Sequence, residues 1–249
     1  TNQENEDNKT TPVVLPKIKY FSGYNNKSAY LSNSTFEFYN ILREKSTLVH
    51  AKQQQKISHK YNLSKEIIRY NSKIIMKTEI YNQVFNTTKK FTNGSNYETG
   101  SNYRLFPIVG ITTESPFKIK KFFPNLTFNP KLNFIVSPGI SNSNKLSNED
   151  STNNDFSLEN FYRLNRFSGN DKMDNSKRIS YGLSAYNNIF KTNILQTYEI
   201  TKNSNFHKEQ GNDSNLSDLL GSIELLNKNE LSYNFRYDIN ESYLKKQNI

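Results

Sequence analysis

S-N-E-D-S-T-N-N-D-F-S-L-E-N-F-Y-R-L-N-R-F-S-G-N-D-K-M-D-N-S-K-R-I-S-Y-G-L-S-A, residues 147–185, is the stretch on which the reading of this chain turns. It opens as an acidic, Asn-rich loop carrying Asn148, Glu149, Asp150, Ser151 and Asp155. An aromatic and basic run follows (Phe161, Tyr162, Arg163, Asn165, Arg166, Phe167), then a turn at Ser168-Gly169-Asn170-Asp171. Period-two alternation then runs from Arg178 to Ala185 through Tyr181 and Gly182. Arginine clusters here in a chain that otherwise favours lysine. A planar guanidinium fork matches a carboxylate. Arg163, Arg166 and Arg178 are therefore expected to pair with Glu149, Asp150, Asp155 and Asp171, fixing residues 141–175 as an ordered loop folded against a sheet.

At 249 residues the chain has room for one large β domain or two ordinary ones. A hydrophobic fraction of 34% and a mean hydropathy of −0.82 point by themselves to disorder, but 16 Tyr and 17 Phe do not, because disordered chains are poor in aromatics. A transmembrane β-barrel reconciles the two, since only every second strand residue must be apolar. No run approaches the roughly 18 apolar residues of a membrane helix. The net charge of +10 is spread along the chain, with Lys118-Ile119-Lys120-Lys121 as the one dense cluster and no nucleic-acid-binding motif, so nucleic acid is not expected as a partner.

Residues 1–12 read as a polar, disordered lead, and 13–249 as one partial barrel domain. Strand-like alternation covers Val13 to Tyr24, Ala29 to Arg43, Leu48 to Leu63, Ile67 to Phe85, Tyr97 to Thr113 and Leu126 to Ile140. It resumes in Arg178 to Phe190, Asn193 to Thr201, Leu216 to Leu226 and Glu230 to Ile239. Turns are expected at Asn25-Asn26-Lys27-Ser28, Asn93-Gly94-Ser95 and Lys228-Asn229. A capped helix from Ser64 is the alternative at Ser64-Lys65-Glu66-Ile67-Ile68, disfavoured by the β-branched residues that follow. Pro107 and Pro130 are expected to interrupt or bulge their strands. The last strand alternates most cleanly, with Leu231, Tyr233, Phe235 and Tyr237 on one face and Ser232, Asn234, Arg236 and Asp238 on the other. A soluble β-sandwich alternates in the same way. Aromatic residues at strand ends, such as Tyr20, Phe21, Tyr186, Phe190 and Tyr243, favour interfacial girdles instead.

Chemistry is sparse. His50, His59 and His207 have no metal-ligand spacing and read as surface residues. Neither a nucleophile elbow nor a phosphate-binding loop occurs. Ser242-Tyr243-Leu244-Lys245 matches S-x-x-K by chance at what reads as a frayed end. The acids of 149–171 have basic neighbours, which suits a loop network better than a glycosidase pair. Catalytic residues, metals and cofactors are all expected to be none.

N-E-D-S at 148–151, D-F at 155–156, N-F at 160–161, N-R-F-S-G-N-D at 165–171 and R-x-x-Y-G-L at 178–183 occur in the order found in the central barrel segment of the LPS-assembly outer-membrane protein family, LptD, in what looks like its alphaproteobacterial form. Leu15-Pro16, Gln55-Lys56-Ile57-Ser58, Glu79-Ile80-Tyr81, Arg104-Leu105-Phe106-Pro107, Gly211, Ser217-Asp218 and Asn234 to Asp238 are similar to further family positions. One departure is Lys172, where the family usually has Arg, so bidentate geometry is lost there. The resemblance implies a translocon barrel integral to the Gram-negative outer membrane that inserts lipopolysaccharide (LPS) into the outer leaflet without covalent chemistry. It also implies a lipoprotein plugging the lumen, with the hairpin Tyr186 to Asn193 as the nearest candidate contact, and periplasmic LPS bridge proteins reached through a domain outside this sequence. A porin-like or solute-binding barrel is the rival, and a soluble carbohydrate-binding β protein a third reading. The chain reads as an internal piece of a longer protein, with an open, curved antiparallel sheet of roughly ten strands. Its first strand, with Pro12 and Pro16, and its polar last residues are poor partners for closure.

Overall fold

The computed structural model describes residues 8–27, 29–92, 96–119, 125–140, 142–143, 145–151, 156–203, 206, 208–212, 214–226 and 231–248. Among these, one antiparallel sheet contains β1 (Val13–Phe21), β2 (Asn25–Lys27), β3 (Tyr30–Leu42), β4 (Gln53–Arg69), β5 (Ser72–Phe91), β6 (Tyr97–Glu114) and β7 (Phe117–Lys118). It continues through β8 (Thr127–Val136), β9 (Lys177–Tyr186), β10 (Phe190–Glu199), β11 (Leu219–Leu225), β12 (Leu231–Asp238) and β13 (Tyr243–Asn248). The order is β1-β3-β4-β5-β6-β8-β9-β10-β11-β12-β13, with β2 paired to β3 and β7 to β8. β1 and β13 stand at opposite ends of that order, and the sheet does not close. No described helix is long and apolar enough to cross a membrane.

Local chemistry explains the boundaries. The Ser64–Ile68 segment is strand, carried straight into a two-residue hairpin at Tyr70 and Asn71, whose φ values of 50° and 58° suit the tight turn. Ile67 then pairs with Ile74, and the helix alternative is excluded. The strand expected from Leu48 instead starts at Gln53, because the Thr47 hydroxyl accepts the His50 N–H (2.9 Å) and closes a turn. The turn expected at residues 25–28 is short strand β2, and the chain reverses one step later, beside Ala29 at φ 64°. The expected turns at 93–95 and 228–229 lie outside the described residues, as do 1–7 of the polar lead. Asn8–Thr10 form a 3-10 turn whose carbonyls accept from Lys45 N–H and Arg43 Nε.

The prolines do not break their strands. Pro107 pairs in register with Ile80, two residues before β6 meets β8 at Val109, so its missing N–H costs no ladder bond to β8. Pro130 pairs with Leu183 in the gap where β8 passes from partner β6 to partner β7. The end of the chain is also ordered. Tyr243–Asn248 form β13, and Lys245 Nζ reaches Asp238 (2.7 Å) and Asp218 (3.3 Å), correcting the frayed reading of Ser242 to Lys245.

Strand alternation separates two faces. One row of outward side chains runs Ile18–Phe38–Ile57–Val84–Tyr103 across five paired strands, all exposed except the half-buried Phe38. Leu105, Val109 and Ile111 extend it along β6, and Phe134, Leu183, Ile194 and Ile223 continue the exposed apolar face on later strands. The band is interrupted by Asn82 and by His59, which stacks on Phe36 at 4.2 Å between ring centroids. Two residues above that row lies a polar one, Asn40–Gln55–Asn86–Ser101, joined by side-chain hydrogen bonds such as Asn86 Nδ2 to Gln55 Oε1 (3.3 Å). The other face buries Tyr39, Gln54, Lys56, Ser58, Gln83, Arg104, Arg178 and Arg236. In β12, Arg236 and Asp238 are buried on this inner face, while the Phe235 ring lies over Gly221 on the outer one.

Residues 43–52, 137–176 and 200–218 join strands at one rim together with the short 239–242 turn, while the other rim has the tight reversals 70–71 and 187–189 and the longer 115–126 connection through β7. The 137–176 connection turns inward and packs on the buried face. At Gly182 a Cβ would meet Leu195 Cδ2 at 2.1 Å, the Ile194 carbonyl oxygen at 2.9 Å and Tyr162 Oη of that connection at 3.2 Å. Gly182→Ala is therefore expected to destabilise the protein by about 1–3 kcal/mol, read as a lower urea midpoint. An unchanged midpoint would mean that the connection does not press on β9.

Candidate functional site

Two segments of the 137–176 connection are sewn together by carboxylates and hydroxyls accepting backbone N–H groups. Asp150 Oδ1 accepts from Asn170 (2.9 Å) and Asp171 (2.8 Å), and Ser151 Oγ from Asp171 and Lys172. In return Asp171 Oδ2 accepts from Glu149 (2.7 Å) and Asp150 (3.1 Å). Gly169, at φ 72°, makes the turn possible, since a Cβ there would lie 2.2 Å from the Asp150 carbonyl oxygen. Asn148 closes its own loop onto Ser151, and Asn165 spans the turn by accepting from Asp174 N–H and donating to the Lys172 carbonyl.

The sheet grips this knot from below. Lys56 Nζ, fully buried on β4, lies 2.5 Å from Asp171 Oδ1 and 3.4 Å from Asp150 Oδ2, and Tyr39 of β3 donates its hydroxyl to Asp171. Arg104 of β6 donates to the carbonyls of Asp171 and Asn170, both at 2.7 Å, and to Gln83 Oε1. Glu149 receives both guanidinium ends of Arg43, the Ser147 hydroxyl and, at 3.5 Å, His50 Nδ1. Burial pushes the Glu149 carboxyl up, but those donors outweigh it and hold it down at about 2. The Asp150 carboxyl also falls below its ordinary value: burial opposes this, and Lys56, Ser151 and the two backbone N–H groups prevail.

A second node joins the connection to β9 and β10. Arg166 Nε donates to Asp174 (2.6 Å) and its NH2 to Glu199 (2.5 Å); Arg178 NH1 donates to Asp174 (2.9 Å). Ser176 Oγ and Asn203 Nδ2 supply further donors to the two acids. All four ionised side chains are essentially without solvent contact and their charges balance. Burial raises the Asp174 carboxyl, yet Arg166 and Arg178 bring it below its usual range. Apolar side chains fill the space between the nodes: Leu164 and Met173 pack with Tyr81, Phe106, Ile108 and Ile135, and Phe156 and Phe161 with Leu195 and Leu220.

These partners differ from those expected. The arginines of the stretch bind Asp174 and Glu199, while Glu149, Asp150 and Asp171 take their cations from Arg43 and Lys56 on the sheet. Arg163 is exposed and contributes its carbonyl, which accepts from Arg178 NH2. Tyr181 faces outward and donates to Gln196 Oε1 (2.8 Å); Gly182 serves by leaving room, without bonding. Asp155 and His207 lie outside the described residues. The Lys172 ammonium lies 5.8 Å from the Phe167 ring centroid. Arg43, Lys56, Tyr39, Asp174 and Glu199 were missed as members. For Tyr39, Lys56 and Glu199 the signal was a polar side chain at an inward strand position; Arg43 follows β3 and Asp174 lies in the connection, where alternation gives no signal.

The profile of the LptD family, LPS transport system D, matches residues 1–249, the whole chain. The chain belongs to the LptD family. Its work is accordingly LPS transport and assembly, and the porin-like alternative has no support. LptD is a transport and assembly family of the outer membrane rather than an enzyme family, and the all-β sheet fits a barrel. None of the curated proteins matches the chain.

Removing one member of a buried ion node leaves its partners uncompensated. Asp174→Leu is expected to cost about 3–5 kcal/mol of unfolding free energy in urea titrations, and a cost below about 1 kcal/mol would contradict the described node. Glu149 sets a pH window. Its folded value lies below the ordinary 4.5, so its contribution is full above pH 4.5 and is lost as pH falls toward 2. The shift corresponds to about 3 kcal/mol. Unfolding free energy measured from pH 6 to pH 2 should fall over that window, and Glu149→Gln should flatten the fall.

Proposed function

We propose that this chain forms a stretch of wall of an outer-membrane translocon barrel that inserts LPS into the outer leaflet, with residues 137–176 closing the lumen on the outward side. The observation that carries it is the division of faces: exposed apolar rows outside, buried charged and amide rows inside, and one long connection bound to the inner rows. Lipid accepts the first arrangement and a wet lumen the second. The longest connections, 137–176 and 200–218, share a rim with 43–52, which supports an extracellular place for these three and a periplasmic one for the rim with 70–71, 115–126 and 187–189.

The protein acts here by position and not by covalent chemistry. Glu149, Asp150, Asp171 and Asp174 are committed to buried cations and N–H groups, which leaves them poor general acids or bases. Below the knot the inner face stays open as a cleft lined by Lys60, Lys77, Glu79, Tyr81 and Arg163. That space suits a lipoprotein plug, and the hairpin Tyr186 to Asn193, on the rim opposite the connection, is the candidate for first contact. The 137–176 connection would then be the roof against which the plug rests.

Two experiments test this reading in the protein that carries the chain. The chain has no cysteine of its own. Lys145→Cys should react with a membrane-impermeant thiol reagent in intact cells, and Tyr70→Cys only after the outer membrane is opened. The reverse pattern would invert the topology. On the lipid face, Val109→Arg should cost about 2–4 kcal/mol in folding into bilayers, and Ser101→Arg, on the same strand above the apolar band, about 0–1 kcal/mol. Equal costs would mean that the outward face does not meet lipid.

A further inference from the structure

On the side of the sheet away from the lumen lies a groove that the wall-and-plug account does not use. It encloses about 500 Å³ and crosses from β6 to β11. Thr113, Leu132, Tyr181 and Gln196 form one register row along it, and Pro130, Leu183 and Ile194 form the next. Leu219 closes the far end. The exposed Leu183 and Ile194 belong to the outward apolar face, opposite in parity to the buried Arg178, Ser180 and Thr197.

The dip has a local cause. β8 leaves β6 at Lys131 and meets β7 at Phe128, so Asn129 and Pro130 fall between the two ladders. Ser115 bridges the step, its N–H donating to the Pro130 carbonyl (3.2 Å), and the small side chains of Thr113 and Ser115 make a low bank. Across the groove Gln196 is only 9% exposed. Its Oε1 accepts from the Tyr181 hydroxyl (2.8 Å) and its Nε2 donates to the Ser217 carbonyl (3.1 Å). An amide bonded through both oxygen and nitrogen tolerates an apolar neighbour. Lys131, the one charged residue among the described lining, has inward parity and is bound to Glu114 (3.2 Å), so the groove offers nothing to a headgroup.

Depth decides what fills the groove. β8, β9 and β10 are each ten residues long, the length of a strand that crosses a bilayer at a tilt of about 45°. Pro130, Leu132, Tyr181, Leu183, Ile194 and Gln196 all stand at positions four to seven of those ten. The groove therefore lies near the middle of the span. An empty hollow at that depth forfeits the contacts of its walls, and water has little to bond there. Hydrocarbon fits it in length as well. From β6 to β11 the groove crosses four strand spacings, about 19 Å. Inclined at about 45° it rises about 13 Å, close to the roughly 15 Å that the chains of one leaflet occupy.

Resting on the reading that the outward face meets lipid, we infer that this groove is a site for one acyl chain of a phospholipid of the surrounding bilayer. The chain lies against Leu183 and Ile194, over the Tyr181–Gln196 pair, and stays longer than chains that merely touch the wall.

The test uses the protein carrying this chain in phosphatidylethanolamine vesicles that contain a trace of the same lipid radiolabelled in its chains. A photo-crosslinking residue is placed at position 183, in the groove, or at 223, mid-strand on the same face outside it. Ile223 is 45% exposed and Leu183 40%, so simple access favours neither. Lipid crosslinking at 183 should exceed that at 223 by at least about threefold. Thr113→Phe combined with Ser115→Phe fills the groove from its low bank, and should bring 183 down to the level of 223 while leaving 223 unchanged. Equal yields at the two positions in the otherwise unaltered protein mean ordinary boundary lipid and overturn the site. A yield at 183 indifferent to the filling pair overturns it too. Crosslinks from 183 to a second copy of the protein in place of lipid overturn the acyl chain as occupant. Lipid crosslinks at 223 alone reject this inference and spare the lipid-facing reading; none at either position rejects both.

Discussion

A lysine ammonium with no solvent contact, in the middle of a β-sheet wall, is tolerable only if a carboxylate is brought to it. Lys56 is that group and Asp171 is its partner, and much of the inner architecture follows from the pairing. Because Asp171 also collects the N–H groups of Glu149 and Asp150, the ion pair fixes the two halves of the 137–176 connection at once. Arg104 holds the same turn through its carbonyls. The second node, around Arg166, Asp174, Arg178 and Glu199, fixes the exit of the connection onto β9 and β10. Between the nodes an apolar layer excludes water and strengthens both.

The division of labour between the faces connects this chemistry to transport. A wall that must present hydrocarbon-compatible side chains outward has only its inward positions for polar work, and there the chain spends its arginines, lysines and amides on holding one connection in place. A bulge between Thr87 and Lys90 sends Lys90 inward to that connection and turns Lys89 to the outside.

The all-β, open, antiparallel architecture was legible because it rests on period two, which is local. Leu231 to Asp238 and Arg178 to Ala185 show it directly. Turn chemistry was less so: Thr47 closing a turn with its hydroxyl, and Tyr70-Asn71 accepting positive φ, depend on conformations that composition does not advertise. The site was half legible. Glu149, Asp150 and Asp171 stood out as acids of an arginine-held loop network, whereas they take backbone N–H groups and cations of the sheet side. The arginine–carboxylate assignment overlooked Asp174, the near neighbour that Arg166 and Arg178 bind, and the cations that Glu149 and Asp171 take from Arg43 and Lys56. Lys56 and Asp171 are 115 positions apart, and Arg43 and Glu149 are 106 apart; only sheet register brings them together. Arg163 and Tyr181 fell away for the same reason, since their strand or loop parity points them elsewhere.

Amide hydrogen exchange at Glu149, Asp150, Asn170, Asp171 and Lys172, in the protein folded in lipid, tests most directly whether the connection is held to the wall by buried carboxylates. The account predicts that these loop amides exchange as slowly as those of the β4–β5 ladder, and that Lys56→Met speeds all of them together while leaving the ladder protected. Exchange at the rate of exposed loop amides in the unaltered protein, or no response to Lys56→Met, would contradict it.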